Sequence, residues 1–196
     1  VVDFARKNKL IVISDLAYSE IAYDGYRPSS FLDVEGAREV GIEFHSLSKT
    51  YNMTGWRIGF ACGNPELVGA LAKVKSNIDS GIFTAIQIAG IMALQSPHAH
   101  LDSMISMYQE RRDTLISGLK SLGWKVKTPK ATFYVWINTP KKYDSRAFAK
   151  LLLDKADIIA TPGIGFGEHG EGYIRMALTV PKESMQEPIG RLKKAI

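Results

Sequence analysis

The sequence lacks several features that would assign the chain to a specialised class of protein. It has one cysteine, Cys62, so no disulfide can form within the chain. It contains no run of about 18 apolar residues, so no membrane span is predicted, and no signal peptide is expected. With 45% hydrophobic and 23% charged residues, the composition is that of an ordinary soluble globular protein. A single cysteine is compatible with a cytoplasmic setting.

The charge distribution gives no indication of a nucleic-acid partner. The net charge is +5, from 25 Lys+Arg against 20 Asp+Glu, and it is spread along the chain. The densest basic group, Arg191, Lys193 and Lys194, has helical spacing, which is typical of a solvated helix face. We therefore expect neither nucleic acid nor a membrane as a partner.

Familiar motifs for metal binding and nucleophilic hydrolysis are also missing. No GxSxG, HExxH or phosphate-loop lysine motif occurs. No histidine stands beside a cysteine or an acid at zinc-ligand spacing. The four histidines are His45, His98, His100 and His169. We therefore predict no metal site, a surface position for His98 and His100, and a buried, inert thiol at Cys62.

A glycine pattern at residues 161–172, TPGIGFGEHGEG, contains GxGxxG. The dinucleotide-binding version of this pattern needs a helix directly after it, so that the helix N-terminus can hold the pyrophosphate. Here YIRMALT follows, which is typical of a strand. We therefore predict a turned or flexible loop whose glycines let the backbone approach a ligand closely.

The first half of the sequence alternates helix and strand. A helix end is predicted at 1–8 and a helix at 65–77, which Asn64-Pro65-Glu66 would cap. Between them lie continuous apolar strands, at 10–14, 42–47 and 58–62. This order predicts an α/β layer with a mainly parallel sheet.

Two helices come next along the chain, and the elements after them are predicted to form a small α+β domain. Residues 84–95 are apolar nearly all round, which predicts a buried helix, and residues 99–121 predict a long amphipathic helix that could span two domains. Strands at 124–128 and 132–138 flank Pro129-Lys130, a hairpin-like turn. The remaining predicted elements are a helix at 145–156, strands at 157–161 and 173–179, and a final helix at 182–195.

The first residues, VVDFARKNKL, are typical of the tail of an amphipathic helix. A domain rarely begins inside a helix whose packing partners lie upstream. We therefore expect the chain to be a C-terminal piece of a longer protein. Its predicted parts are residues 1–98, from a large domain, and residues 99–196, a small domain that includes the long helix.

Polar side chains follow two of the predicted strands. Asp15 and Tyr18 come after the first strand, and Lys49 follows the second among seryl hydroxyls. If these strands are parallel, all three residues lie at the carboxyl edge of the sheet, where open α/β sheets bind ligands. The alternatives are ordinary ones: Asp15 can be a turn cap, Tyr18 a core residue and Lys49 a surface residue.

Two arginines extend this set. Arg57 lies directly before the strand predicted at 58–62. Arg175 lies mid-strand in YIRMAL, between residues that look buried, and is itself expected to be buried. An arginine there usually has an anionic partner, either a protein carboxylate or a ligand.

Together these side chains meet the needs of pyridoxal 5′-phosphate (PLP). A partly desolvated lysine near other cations can act as a nucleophilic amine that forms a Schiff base. Hydroxyl groups and Arg57 offer donors for a phosphate. An aspartate can keep a pyridine nitrogen protonated, which makes the ring an electron sink.

At these residues the chain resembles the fold-type-I, aspartate-aminotransferase-like PLP enzymes of class I/II. SLSKTYNMTGWRIGF resembles the lysine signature of that family, and SDLAY resembles the D-x-x-Y upstream of it. GxGFGxxGxGYIRMAL resembles the C-terminal carboxylate-binding segment. The resemblance covers essentially all 196 residues and corresponds to roughly the C-terminal half of such an enzyme. Within the family, the LL-diaminopimelate aminotransferase-like subgroup is the most similar in three segments: EFHSLSKTYNMTGWRIGFACGN, NIDSGIFTAIQ and GEGYIRMALTVP.

The resemblance implies a role for each of these residues. Lys49 would form the Schiff base and shuttle the proton, Asp15 would pair with the pyridinium nitrogen, and Tyr18 would bond the 3-oxygen of the ring. Arg175 would bind the substrate α-carboxylate as a fork. The phosphate would be held by Ser46, Ser48 and Arg57.

The resemblance implies that the protein is an amino-acid aminotransferase, which moves an amino group between an amino acid and a 2-oxo acid. LL-diaminopimelate is one candidate for the amino acid. The resemblance also implies a homodimer in the cytoplasm. Alternatives are a PLP-dependent lyase or decarboxylase on the same scaffold, the aminotransferase-like domain of a PLP-sensing transcription regulator, and a fragment without activity. Part of the family's site, including the ring stacked on the cofactor, belongs to an N-terminal half that this sequence does not contain.

Overall fold

Two three-stranded sheets organise the chain, one in each half. The computed structural model describes residues 1–195, which divide into a first unit ending at Asp102 and a second unit starting at Ser103. This division falls inside a long helix, whereas the sequence predicts a boundary between residues 98 and 99. Within residues 1–195, no helix has both the length and the apolar character needed to cross a membrane.

The first unit is an α/β layer. Its strands are β1 (Val12–Asp15), β2 (Gly41–Ser46) and β3 (Gly59–Gly63), and its helices are α1 (Val2–Asn8), α2 (Ala37–Val40), α3 (Leu47–Thr50), α4 (Pro65–Ile78) and α5 (Thr84–Leu94). Strand β2 is central, parallel to β1 and antiparallel to β3. The predicted elements are confirmed to within one or two residues. The sheet is mixed, however, because only one of its two pairings is parallel.

Helix α4 shows why the local signals in this region are reliable. The side chain of Asn64 accepts hydrogen bonds from the backbone N–H groups of Glu66 and Leu67, at 2.9 and 3.1 Å. Pro65 occupies the first turn, where its missing N–H group costs nothing. The predicted cap is therefore confirmed.

The prediction that the helix at 84–95 is buried is wrong. Along α5 only Gly90 is buried, where it faces Ile58 and Leu47. Ile91 and Met92 are 53% and 63% exposed. An apolar sequence shows that a helix can be buried on every side, but the surfaces available to cover it are set by the rest of the molecule.

The second unit packs helices against an antiparallel sheet. Its helices are α6 (Ala99–Ser121, which begins in the first unit), α7 (Ser145–Ala156) and α8 (Glu183–Ala195), and its strands are β4 (Tyr134–Asn138), β5 (Thr161–Pro162) and β6 (Tyr173–Ala177). Strand β6 is central, and both of its neighbours are antiparallel to it. The fully buried side chains in its core include Val135, Ile137, Phe148, Leu152, Ile174 and Leu178.

Two strand predictions in this unit are wrong. Residues 124–128 form no strand, so the hairpin expected at Pro129-Lys130 is absent. The alternation of exposed lysines with the buried Val126 is strand-like, but a strand needs a hydrogen-bonded partner, and within residues 1–195 the strand that pairs with β4 is β6. The strand predicted at 157–161 is reduced to Thr161–Pro162, because Asp157 is left-handed and the N–H groups of Asp157 and Ile158 bond back to the end of α7.

Candidate active site

Asp15 is the last residue of β1 and lies at the carboxyl edge of the first sheet. It is opposite Phe44 in the parallel pairing with β2, so the ends of both strands reach the same edge, as predicted. Its Oδ1 atom accepts a hydrogen bond from the backbone N–H of Ala17 at 3.3 Å. Asp15 therefore caps a turn. Because its carboxylate is also exposed, the remaining oxygen lone pairs are available to a ligand.

Lys49 lies in the short helix α3, directly after β2. The side chain is half-buried, and its Nζ atom is 5.7 Å from the centre of the Tyr18 ring. Tyr18 belongs to the turn that follows β1 and is also half-buried. The parallel pairing of two strands therefore brings together an amine, a phenol and the loop that starts at Asp15.

The two serines beside Lys49 differ in accessibility. Ser46 is half-buried and caps α3: its Oγ atom accepts a hydrogen bond from the N–H of Ser48 at 3.2 Å, which leaves its own O–H to donate. Ser48 is 7% exposed, and its backbone carbonyl accepts a bond from Thr54 Oγ1 at 3.0 Å. Ser46 is therefore the hydroxyl that is more open to a ligand.

Arg57 has an unusual backbone, with φ of 54° in the left-handed region. Such a conformation is uncommon for a residue other than glycine and is often found at functional sites. One guanidinium N–H, on Nη1, donates to the carbonyl of Thr54 at 3.0 Å. The side chain is exposed, and its other N–H groups bond no other group within residues 1–195. The guanidinium is thus anchored at one end and available to an anion at the other.

Arg175 lies in β6 of the second unit, opposite Trp136 of β4. Its neighbours Ile174 and Met176 are buried, as predicted, but they point to the core face of the sheet, whereas Arg175 lies on the other face and is only half-buried. The expectation of a buried arginine is therefore wrong, because side chains alternate along a strand. Within the described chain no carboxylate pairs with it. Its Cζ atom lies 4.0 Å from the ring centre of Tyr134 and 4.4 Å from that of Phe166.

Glu43 is a buried carboxylate that the sequence did not single out. It is 1% exposed and accepts four hydrogen bonds, from Ser30 Oγ at 2.8 Å, Ser14 Oγ at 3.1 Å, the Phe31 N–H at 2.9 Å and the His45 imidazole at 2.9 Å. Burial alone would raise the pKa of this carboxyl. The hydrogen bonds outweigh it, so the pKa of Glu43 lies below its ordinary value. Glu43 is therefore ionised and ties β1 and the loop before α2 to β2.

Glu43, His45 and Cys62 have potential metal-ligating atoms within 4.8 Å of one another. Glu43 and Cys62 are partners across the antiparallel β2–β3 pairing, so a search for ligand spacing along the sequence could not find them. The cluster is complete without a metal, because each oxygen of Glu43 already accepts two hydrogen bonds. Burial raises the pKa of the half-buried Cys62 thiol, and the charge of Glu43 raises it further. The thiol is therefore kept protonated.

The glycine segment of the second unit forms two short 3₁₀ turns, Gly163–Phe166 and Glu168–Gly170, before β6 begins. The prediction that a strand and not a helix follows is confirmed. A Cβ atom on Gly163 would lie 1.9 Å from the carbonyl oxygen of Gly170, so only glycine fits at this approach. The backbone of the first turn is therefore packed tightly against that of the second, and Phe166 ends the first turn.

Comparison with known proteins identifies the family. The family model for aminotransferase class I and II matches residues 1–192. The LL-diaminopimelate aminotransferase of Moorella thermoacetica is 58% identical over 196 residues, which is 100% of this chain and 50% of that protein. Thus the chain spans about half the length of the curated relatives it matches.

Solved structures give the same result at lower identity. A probable N-succinyldiaminopimelate aminotransferase from Thermus thermophilus is 34% identical, with a TM-score of 0.92 over 99% of this chain and 52% of that protein. An aromatic aminotransferase from Pyrococcus horikoshii is 31% identical, with a TM-score of 0.92 over 98% and 52%. The chain belongs to the class I and II aminotransferase family and corresponds to the C-terminal part of its fold-type-I architecture.

Proposed function

We propose that the protein is a PLP-dependent amino-acid aminotransferase. The observation that carries this proposal is that Asp15 ends β1 and Lys49 directly follows the parallel strand β2 at the same edge, with Lys49 Nζ 5.7 Å from the centre of the Tyr18 ring. An amine, a phenol and a carboxylate on adjacent strand ends are the groups that a pyridine aldehyde with a 3-oxygen and a ring nitrogen requires. The relatives named LL-diaminopimelate aminotransferase point to the same chemistry.

The side chains present fit the cofactor. Asp15 is exposed and can pair with a protonated ring nitrogen, and Tyr18 can donate its O–H to the 3-oxygen. A phosphate would be held by the Ser46 hydroxyl and by the N–H groups of Arg57 that bond nothing else in the described chain. Ser48 would be a third donor, although its side chain must first become accessible to the phosphate. When bound, PLP supplies an electron-withdrawing ring that stabilises negative charge at the substrate Cα.

Two residues of this chain act directly on the amino acid in the proposed reaction. Lys49 Nζ accepts the proton that leaves the substrate Cα, because it is a half-buried amine directly after β2, at the strand edge where Asp15 ends β1. Arg175 binds the α-carboxylate with two parallel N–H bonds, and its lack of a carboxylate partner within residues 1–195 leaves its charge for such a ligand. Arg175 would bind the carboxylate of the 2-oxo acid in the same way.

The substrate and the assembly are part of the same proposal. The curated relatives carry the name LL-diaminopimelate aminotransferase, so we propose LL-diaminopimelate as the amino donor and a 2-oxo acid as the acceptor. We further propose a homodimer that acts in the cytoplasm, as the resemblance to the aspartate-aminotransferase-like enzymes implies.

The proposal is tested with Lys49→Ala in the product of the complete reading frame. The variant should lose transamination of LL-diaminopimelate by at least about three orders of magnitude, because it removes the group that moves the proton. PLP binding, followed by equilibrium dialysis, should remain. Lys75→Ala, which removes an exposed lysine on α4 that pairs with Asp79, is the matched control and should retain activity. Near-normal turnover by Lys49→Ala would refute the role of Lys49.

A further inference from the structure

Arg175 is held by two aromatic rings in the second unit. The centre of the guanidinium, Cζ, lies 4.0 Å from the ring centre of Tyr134 and 4.4 Å from that of Phe166. Both distances are well inside the range of about 6 Å over which a cation is attracted to the face of an aromatic ring. An arginine is always charged, so this attraction is present at every working pH.

The rings use a part of the guanidinium that a carboxylate does not need. The N–H donors of the group lie in its plane and point outward from its edge. Contacts at ring centres stabilise the cation without accepting those hydrogen bonds, whereas a protein carboxylate in the same place would accept two of them. Aromatic partners therefore restrict Arg175 and leave its fork open.

The fold places both rings from different segments. Tyr134 lies on β4, two residues before Trp136, which is opposite Arg175, so it occupies the diagonal position on the same face of the sheet. Phe166 ends the first 3₁₀ turn of the glycine segment, and its ring meets the edge of Trp136 at 5.3 Å between ring centres. The close approach at Gly163 fixes that turn against the backbone.

We propose that Tyr134 and Phe166 are positioning residues that fix the guanidinium plane of Arg175 for two-point binding of a substrate carboxylate. This rests on the proposed function, in which Arg175 binds that carboxylate. Neither ring takes part in proton transfer, so their loss weakens binding of every carboxylate ligand and leaves the chemical step largely unchanged. An arginine with a free side chain must be ordered again at each binding event, which lowers affinity.

The test uses Phe166→Leu and Tyr134→Leu in the PLP-loaded product of the complete reading frame. The first readout is KM and kcat for LL-diaminopimelate. The second is the dissociation constant of pimelate, the corresponding dicarboxylic acid without amino groups, measured by isothermal titration calorimetry. We expect each variant to raise both KM and the pimelate dissociation constant by about 5- to 10-fold, and kcat to change less than about threefold.

Conservative and matched variants separate positioning from folding. Phe166→Tyr and Tyr134→Phe keep the rings and should stay within about twofold of the wild type in both constants. Tyr173→Leu removes a ring that meets Trp136 at 5.9 Å on the same unit, and Tyr173 is not one of the rings over Arg175. It should bind pimelate like the wild type. If Tyr173→Leu weakens binding as much as Phe166→Leu, the rings serve only to stabilise the sheet and the proposal is overturned.

Arg175→Ala distinguishes failure of this inference from failure of the proposed function. If Arg175→Ala binds pimelate as the wild type does, Arg175 is no carboxylate site and both proposals fall. If Arg175→Ala weakens binding strongly while Phe166→Leu and Tyr134→Leu do not, the carboxylate role stands and only the positioning role is refuted.

Discussion

The two units surround their cationic side chains with different groups. In the first unit, Lys49 lies beside the ring of Tyr18 at a strand edge that also carries serine hydroxyls and the carboxylate of Asp15. In the second unit, the guanidinium of Arg175 contacts the rings of Tyr134 and Phe166 and has no carboxylate partner in the described chain. Amine, hydroxyl and carboxylate groups can exchange protons with a ligand, whereas a contact to the face of a ring orients a charge without exchanging a proton. In the proposed function, the first edge therefore carries the chemistry and the second sheet face carries the binding.

The largest expected effect comes from the strand edge. Asp15→Asn keeps the shape of the side chain and its bond to the N–H of Ala17 but removes the charge. A neutral amide cannot hold a ring nitrogen protonated, so kcat should fall by at least about 100-fold, about 3 kcal/mol in the barrier. Steady-state kinetics on the product of the complete reading frame measure this. If kcat falls by less than about tenfold, Asp15 serves only as a turn cap.

A binding residue should respond differently from a chemical one. Arg175→Lys keeps the charge but loses the fork and the flat surface that the rings contact. KM for the amino acid and for the 2-oxo acid should rise together, by about tenfold or more, with a smaller change in kcat. Comparing each amino acid with the amine that lacks its carboxylate completes the test. If the preference for the amino acid survives in Arg175→Ala, another group binds the carboxylate.

The buried acid of the first unit predicts a pH dependence of stability. The pKa of Glu43 is lowered in the folded state, so its stabilisation is present above the unfolded pKa and is lost as the pH falls through the folded value. Glu43→Gln should reduce the free energy of unfolding by about 1–3 kcal/mol at pH 7, and the difference from the wild type should shrink as the pH falls below the unfolded pKa. Urea unfolding at pH 7 and at lower pH values measures both.

Glu171 of the second unit is the comparison for Glu43. Its pKa is also lowered, by bonds from the N–H groups of Gly172 and Ser145 and from the Ser145 hydroxyl, but its side chain is exposed. Water and salt screen an exposed carboxylate, so Glu171→Gln should change stability less than Glu43→Gln does. An equal or greater loss would contradict the importance given to burial.

The smallest effect on stability is expected at α5. Ile91 is 53% exposed, so Ile91→Gln should change the free energy of unfolding by less than about 0.5 kcal/mol.

The exposed apolar residues of α5 should make the 196-residue chain associate in solution, and Ile91→Gln should reduce that association. Light scattering on both chains is the measurement. A wild-type chain that stays monomeric at all concentrations would contradict the prediction.

Local patterns were sufficient for most elements. The cap at Asn64 and Pro65 and the apolar periods of α4, α6 and α7 depend on neighbouring residues, so those bounds could be predicted. The failures concern partners that lie far away in the sequence. Residues 124–128 alternate like a strand but have no neighbouring strand in the described chain to pair with. Helix α5 is apolar like a core helix, but among its residues only Gly90 is fully buried.

The sequence by itself determined the family and the residue types of the candidate site, because the lysine segment, D-x-x-Y and YIRMAL are contiguous patterns. The sequence also predicted that Asp15 and Lys49 share a strand edge, but the tertiary structure decided which side chains contact one another. Parallel pairing of β1 with β2 brings Tyr18 to Lys49, antiparallel pairing of β2 with β3 brings Glu43 to Cys62, and alternation along β6 turns Arg175 away from the core. The physical reason is that strand register and side-chain direction depend on hydrogen bonds between distant segments, which no local pattern specifies.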